Sequence, residues 1–502
     1  MGEAAGGRGA DPLTVLTALR IEARAVGGDV VVTGTGRGRA EAAGTGLAAG
    51  LAPGSPVAVT GVAGGLHPDL RPGDVMVATE LRTADGAAVH TLPSAALLAA
   101  ELRRSGLTVR VGPLLSSPTL VRSARARAEA AATGAIAVDM ESAHLAARLG
   151  SHPLAVVRTI ADTGQRGLVL GGAKGVAALR HVRSVLESWG KAVGPRDVVL
   201  AAPRSFCAGV ERAIEIVERA LARFGPPVYV RRQIVHNSHV VERLRSMGAV
   251  FVQELAEVPD GAVVVIAAHG VPPEVRAEAD RRGNLTVVDA TCPLVAKVHH
   301  EARRYLAQDY QMVLIGHPDH EEVAGTLGEA PDRIRLLQHA AEVDQLDFGS
   351  AERVAFLTQT TLATDETSVI VDALRTRFPR IVGPHGDDIC YATQNRQDAV
   401  RSLAQRCELV LVVGSPNSSN AARLVEVARR EGSRAELVED ESDLRLAWLD
   451  GTRSIGLTAG ASAPELLVQR VLDALRPFGP VTVREHRTTE ETVRFSLPQQ
   501  VR

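Results

Sequence analysis

The stretch Pro203-Arg-Ser-Phe-Cys-Ala-Gly-Val-Glu-Arg-Ala213 decides how the second half of this chain is read. Before it, Asp197-Val-Val-Leu-Ala-Ala202 is short, apolar and β-branched, which predicts a strand. After it, Val210, Ala213, Ile214, Val217 and Leu221 recur at helical spacing. Cys207 therefore stands alone at a strand-to-helix turn, beside an Ala-Gly pair that leaves space above the thiol. The arrangement recurs twice. Leu285-Thr-Val-Val-Asp-Ala-Thr leads into Cys292, with Pro293 suited to the first helical turn. Asp387-Asp-Ile leads into Cys390, ahead of a helix bearing Val400 and Leu403. Comparable lengths of chain separate the three cysteines, which predicts three α/β modules in pseudo-threefold arrangement with converging thiols. Cys407 is different. It follows Val400, Leu403 and Ala404 at helical spacing and precedes a strand from Leu409 to Val413, so it is assigned to the core.

At 502 residues the chain is too long for one ordinary core. Glu187-Ser-Trp-Gly-Lys-Ala-Val-Gly-Pro-Arg196 interrupts the pattern with two glycines and a proline, and the domain boundary is placed there. The expected division is a disordered tail over 1–12, a first domain over 13–190, a linker over 191–196 and a second domain over 197–502. On both sides of the boundary, apolar runs such as Ser55-Pro-Val-Ala-Val-Thr60 and Cys407-Glu-Leu-Val-Leu-Val-Val413 alternate with amphipathic stretches. That is an α/β pattern, with mostly parallel strands and sites at their carboxyl ends.

Composition narrows the function. The net charge of −2 and the 3 % aromatic content argue against a nucleic-acid binder. No apolar run approaches the roughly 20 residues of a membrane span, and no secretion signal opens the chain. Four cysteines are too few for a disulfide framework, so a reducing cytoplasm is expected.

Three thiols in one setting have several readings. Each alone is explained as a small buried hydrophobe. Zinc would call for a fourth ligand and often CxxC spacing, and a nucleophile needs only one thiol. An iron–sulfur cluster held by three thiolates leaves one iron open, and helix N-termini would favour the thiolate form. Polar residues follow other apolar runs: His236, His269, His320 with Glu322, and Thr360 with Thr361. Ser418, Ser419 and Asn420 open one helix, and Ser462 precedes another. Such residues are ordinary N-caps, yet short polar side chains at helix starts also build anion sites. No GxxxxGK[ST] motif occurs, which disfavours an ordinary ATPase.

Taken together, FCAGVERA, VHN, AAHGV, DATCPLV, IGH..HEEV.GT, TQTTL, DDICYAT.NRQ, GS.NSSN and TAGASAPE closely resemble the 4-hydroxy-3-methylbut-2-enyl diphosphate reductase family. The resemblance runs from about Asp197 onward. It implies a pseudo-threefold fold around a central [4Fe–4S] cluster ligated by Cys207, Cys292 and Cys390. It also implies that His236, His269, His320, Ser418, Ser419, Asn420 and Ser462 hold the diphosphate. Thr360 would lie beside the substrate and Glu322 would donate the proton. The implied reaction removes an allylic hydroxyl reductively to give isopentenyl and dimethylallyl diphosphates, with ferredoxin or flavodoxin as electron donor. Two departures stand out: Ser205 replaces a usual Gly, and Glu321 replaces a common Pro. The added charge of Glu321 is expected to raise the pKa of Glu322.

The first half resembles the nucleoside phosphorylase and nucleosidase superfamily through LTALRIEARAV, TGVAGGLHPDLRPGDVMVA, AVDMESAHLA and AVVRTIADTG. That resemblance implies Met140 and Glu141 at a ribose, Asp162 at a purine N7 and Glu22 activating water. Few aromatics are present to stack on a base, and the segment after Asp162 is short and Gly-rich. A degenerate domain kept for stability or docking is therefore the competing expectation. For the whole chain the rivals are a non-catalytic iron–sulfur redox sensor and a zinc hydrolase.

Overall fold

The computed structural model describes residues 12–164, 168–348, 353–386 and 388–502. All but the last residue of the expected N-terminal tail, positions 165–167 of the Gly-rich segment after Asp162, and Asp387 of the third cysteine motif lie outside them. The chain forms two compact units. The first comprises residues up to Asp197 together with Glu441–Arg453 and Arg470–Thr482. The second comprises Val198–Asp440, Ser454–Gln469 and Val483–Arg502. Two short stretches from late in the sequence thus belong to the first unit, which a boundary drawn near 190 does not anticipate.

The boundary segment itself is ordered. The helix Arg183–Ala192 runs through most of it and the next strand begins at Arg196. Gly190 is not a break: a Cβ there would lie 2.8 Å from the Leu13 Cβ, so glycine permits a close approach within a packed helix. Leu186 and Trp189 are fully buried on the same helix, and the Trp189 indole donates to Ser94.

The first unit is built on an eight-stranded sheet. Val57–Gly65 is its spine, pairing parallel with Thr14–Thr17 and Leu154–Asp162 and antiparallel with Ala137–Asp139. Leu154–Asp162 also pairs antiparallel with Val75–Arg82. Val75–Arg82 also pairs antiparallel with Ala88–Thr91, so the sheet is mixed, although most of its pairings are parallel as expected. Val57–Gly65 and Leu154–Asp162 carry near-continuous buried runs, as strands covered on both faces do.

The second unit contains three separate sheets. The first is all parallel and includes Val228–Arg231, Val263–Ile266 and Thr286–Asp289. The second, also parallel, contains Gln311–Ile315, Ile334–Leu337 and Val354–Thr358. The third joins Leu409–Val413, Arg434–Val438 and Ser454–Ala459 with the early strand Arg196–Ala202 and with Val481–Arg487. Each cysteine marks a passage between sheets. The strand before Cys207 lies in the third sheet, whereas the helix after it, Ala208–Phe224, packs on the first through Ile214, Val217 and Val228. The strand before Cys292 lies in the first sheet, and Pro293–Ala307 packs on the second through Val298 and Met312. Tyr391–Ala404, after Cys390, packs on the third through Val400, Leu403 and Val410. Among the described residues, no helix is long and apolar enough to cross a membrane.

The short helix Leu446–Leu449 packs on Arg183–Ala192 and Ala95–Arg104, all within the first unit. Leu446, Leu449 and Phe478 are fully buried there. Deleting residues 1–193 uncovers them, at about 1.5–3 kcal/mol for each side chain. We expect the shortened protein to fold with a lowered thermal midpoint and a tendency to associate. Calorimetry and size-exclusion chromatography test this, and an unchanged midpoint would show that those two stretches are not held by the first unit.

Candidate functional site

The site in the second unit grows from helix starts. Cys207, Cys292 and Cys390 are the N-cap residues of Ala208–Phe224, Pro293–Ala307 and Tyr391–Ala404. Their own N–H groups anchor neighbouring loops. Cys292 N donates to Ala268 O at 2.9 Å, Cys390 N to Thr360 O at 3.1 Å and Cys207 N to Ala461 O at 3.3 Å. These acceptors adjoin His269, are Thr360 itself, and adjoin Ser462. The three thiols, three histidines, Glu322, Thr360 and the serines consequently line one cavity of ≈ 110 Å³.

The thiols approach each other over Gly209, where an added Cβ would meet the Cys292 Sγ at 2.7 Å and the Cys207 Sγ at 3.9 Å. Cys390 Sγ accepts from Thr393 N at 3.3 Å and contacts its hydroxyl at 3.0 Å. The helix N-termini were expected to favour thiolates, but burial outweighs them. It pushes Cys292 up to about 12 and Cys390 up to about 11, with the neighbouring thiols adding to the rise. Three half-buried thiols sharing one space, with glycine clearing it, suit a bound cationic centre that would draw off their protons. Among the described residues, no three His, Cys, Asp or Glu side chains are arranged around a point suited to one metal ion. Cys407 is buried away from this cavity, as its helical spacing indicated.

Opposite the thiols, the His236 and His269 rings stack at 4.1 Å, and both lie edge-on to His320 at 5.6 and 5.7 Å. Burial pushes His236 and His320 down to about 4 and His269 well below its usual range, so the trio is neutral at pH 7. His269 Nδ1 is buried without a partner. Ser418 caps Ser419–Arg430, and its hydroxyl lies 3.3 Å from that of Ser462, which donates to His236 O. Asn420 Oδ1 accepts from Ala461 N at 2.9 Å, while its buried Nδ2 has no partner. Capping and a free donor set coexist, which is the make-up of an anion site at a helix start.

Glu322 is 2 % exposed. Thr360 donates to it twice, from N to Oε1 at 2.7 Å and from Oγ1 to Oε2 at 2.9 Å. Burial nevertheless raises its pKa to about 7, and the charge of Asp388 adds to the rise. Glu321 is not the cause. It faces Arg232 at 3.8 Å and His269 Nδ1 at 4.0 Å. Ser205, the other departure, adopts φ +60°, the left-handed region where glycine is easiest, and its hydroxyl donates to Glu465. Gly209 clears the space that the Ala-Gly pair beside Cys207 indicated, whereas Asp388 and Thr393 escaped the sequence reading. Only Thr393, three residues beyond an N-cap, carried a local signal.

In the first unit, Glu22, Met140, Glu141 and Asp162 line a single cavity of ≈ 750 Å³. Glu22 is 1 % exposed and accepts from Val62 N and Leu19 N, each at 2.8 Å. Glu141 accepts from Gly36 N at 3.1 Å, and burial raises its pKa. Beneath them Arg158, fully buried, donates to Asp139 at 2.6 Å and lies 3.8 Å from Glu141. Asp162 is held differently from the expected purine contact: one oxygen accepts from Gly164 N and the other pairs with Arg127. Neither arginine was legible beforehand, because each lies far from its carboxylate in sequence.

Residues 198–476 match the family model described as LytB protein. The chain belongs to this family. The 4-hydroxy-3-methylbut-2-enyl diphosphate reductase 1 of Mycobacterium bovis is 56 % identical over 308 residues, which cover 61 % of this chain and 92 % of that protein. The enzyme of the same name from a Psychrobacter species is 54 % identical over 310 residues, covering 61 % and 97 %. The solved structure of the E-1-hydroxy-2-methyl-but-2-enyl-4-diphosphate reductase from Plasmodium falciparum superposes with a TM-score of 0.59 at 38 % identity, covering 61 % of this chain and 97 % of that one. Residues 17–191 match the model described as Phosphorylase superfamily.

The two hydrogen bonds from Thr360 stabilise the ionised form of Glu322. Thr360→Val removes the hydroxyl donor, so the carboxyl should titrate at still higher pH. Infrared difference spectra of the carboxyl stretch against pH measure this, and an unmoved midpoint would show that the hydroxyl bond carries no weight.

Proposed function

We propose that the second unit reduces (E)-4-hydroxy-3-methylbut-2-enyl diphosphate to isopentenyl and dimethylallyl diphosphates. The observation that carries this reading is the meeting, in one cavity, of three N-cap thiols, a neutral histidine trio and a buried glutamate raised to about 7. Cys207, Cys292 and Cys390 would hold a [4Fe–4S] cluster, which when bound supplies the reducing electrons. His236, His269, His320, Ser418, Ser419, Asn420 and Ser462 receive the diphosphate, and the buried donors without partners on His269 and Asn420 are available to it. Glu322, raised to about 7, is half-protonated at neutral pH and more fully so below it, and gives its proton to the departing hydroxyl, so that oxygen leaves as water. Thr360 fixes that carboxyl and lies beside the substrate. The reaction consumes two electrons and two protons per substrate. A one-electron carrier protein such as ferredoxin or flavodoxin, in a reducing cytoplasm, supplies the electrons.

Anaerobic purification, iron and sulfide analysis, and substrate-dependent oxidation of a reduced viologen dye test the reading. Iron and sulfide without turnover would leave a redox sensor, and zinc without iron would leave a hydrolase. Cys207→Ser, Cys292→Ser or Cys390→Ser should each lose cluster absorbance, whereas Cys407→Ser keeps it. Glu322→Gln should assemble the cluster and bind substrate, yet turn over at least about a hundredfold more slowly. In the unaltered enzyme kcat/KM should fall as pH rises through about 7, because the acid is then ionised. A flat profile across that range would move the proton donor elsewhere.

A second reading concerns the first unit and rests on Glu22, Met140, Glu141 and Asp162 lining one cavity. It is proposed to cleave purine nucleosides, with Glu22 activating water and Met140 and Glu141 at the ribose. Asp162 must exchange its Arg127 partner for the base. Release of free base from a purine nucleoside panel, with and without phosphate, should be detectable and lost in Glu141→Gln. Absence of release throughout would leave a domain kept for stability or docking.

A further inference from the structure

The motif Asn395-Arg396-Gln397 lies on the helix that begins at Cys390, and neither the diphosphate site nor the acid makes use of it. Arg396 is fully buried. Its guanidinium reaches the other cysteine loop: Nε donates to Ser205 O at 3.1 Å, and Nη2 to Ser205 O at 2.8 Å and Phe206 O at 3.2 Å. These carbonyls immediately precede Cys207. Its remaining nitrogen, Nη1, donates to Ala392 O and to Glu491 Oε1, each at 2.9 Å. Asn395 Nδ2 donates to the same Glu491 oxygen at 3.0 Å. Gln397, also fully buried, donates from Nε2 to Leu362 O at 3.0 Å, in the loop that carries Thr360.

One helical turn therefore grips three things: the Cys207 loop, the Thr360 loop and the Glu491 segment. We propose that Asn395, Arg396 and Gln397 are positioning residues that fix the separation of the Cys207 and Cys390 thiols and seat Thr360, with Glu491 as their anchor. The inference rests on the reductase reading. A buried guanidinium is suited to the task because its planar fork serves several carbonyls at once, which a lysine cannot do. It also accounts for the left-handed Ser205. Arg396 donates twice to that residue's carbonyl, which holds the turn while the hydroxyl is engaged by Glu465.

The test uses the full-length protein, reconstituted anaerobically with iron and sulfide, in the variants Arg396→Gln, Arg396→Lys and Glu491→Gln. Release of iron to a chelator, visible absorbance and the reduction midpoint potential are read alongside the thermal midpoint. Outer-shell partners of metal ligands typically change metal affinity by about 10–100-fold. Arg396→Gln should lose iron at least about tenfold faster, with a shifted potential, and Arg396→Lys should recover part of the loss. Glu491→Gln leaves Arg396 in place and should fall between. It decides the matter if Arg396→Gln does not fold. Arg282→Gln is the control, because Arg282 bridges Leu255 O and Val258 O away from the thiols and should lower stability without altering the cluster. If Arg396→Gln or Glu491→Gln folds with unaltered iron release and potential, the proposal falls while the reductase reading stands. Failure of the unaltered protein to take up iron would instead overturn that reading itself.

Discussion

Three backbone hydrogen bonds, from the N–H groups of Cys207, Cys292 and Cys390, tie the second unit together. Each cysteine is a half-in residue at a helix start, and its N–H has no partner within the helix it caps. Here each N–H bonds to a carbonyl from another loop, and each of those loops carries a polar site residue. The thiol and the polar group thus share one short lever, so sliding a helix by a turn would move both. This explains why the cavity combines cysteines from three sheet-to-sheet passages with histidines and serines from the strand ends between them. The geometry demands small residues where the lever is tight, as at Gly209, and rigid polar braces where it is long, as at Arg396.

Burial is the second constraint, and it acts on two of the thiols, the histidines and the glutamate of the same cavity. It disfavours charge, so it lifts Cys292, Cys390 and Glu322 and depresses the histidines. A site left to itself is close to neutral. An incoming diphosphate and a cationic centre would each restore the charge that burial removed, the anion by favouring imidazolium and the cation by favouring thiolate. The two occupants then support each other electrostatically across a small space. Glu322 lies between these demands, and its two bonds from Thr360 keep the carboxyl close to half-ionised at neutral pH.

Much of this was legible in the chain. Cysteine at the end of an apolar run, with helical spacing after it, is a local pattern, and the N-cap positions follow from it directly. The bond from Arg396 to Ser205 joins residues distant in sequence, and no periodicity announces it. The same holds for Arg127 with Asp162 and for Arg158 with Asp139 in the first unit. Polar contacts between distant segments depend on how sheets pack, which side-chain pattern alone does not encode. The division between the units falls at Asp197, beside the expected linker, but the return of Glu441–Arg453 and Arg470–Thr482 to the first unit was missed for a related reason. Gly190 and Gly194 signal flexibility in isolation, but Gly190 is the contact point of a helix against Leu13, and the late stretches that join the first unit have no sequence feature marking them as its own.

The first unit shows how a shared cavity differs from a shared chemistry. Glu22, Met140, Glu141 and Asp162 come together as the resemblance implied, from three separate places in the chain, so the local folding rules that place them are intact. The charges around them are arranged in their own way. Arg158 lies under Glu141 and Asp139, and a Cβ on Gly61 would meet both its guanidinium at 2.7 Å and the Glu22 carboxylate at 2.8 Å. Glycine at that position lets the arginine lie close to two carboxylates at once, offsetting their repulsion in a buried place. Arg127 does the same for Asp162 at the other end of the cavity. Four carboxylates, Glu22, Asp139, Glu141 and Asp162, outnumber the guanidiniums of Arg127, Arg158 and Arg180 around this pocket, which disfavours an anionic guest. In that respect it is the opposite of the histidine and serine cradle in the second unit, whose free donors call for negative charge.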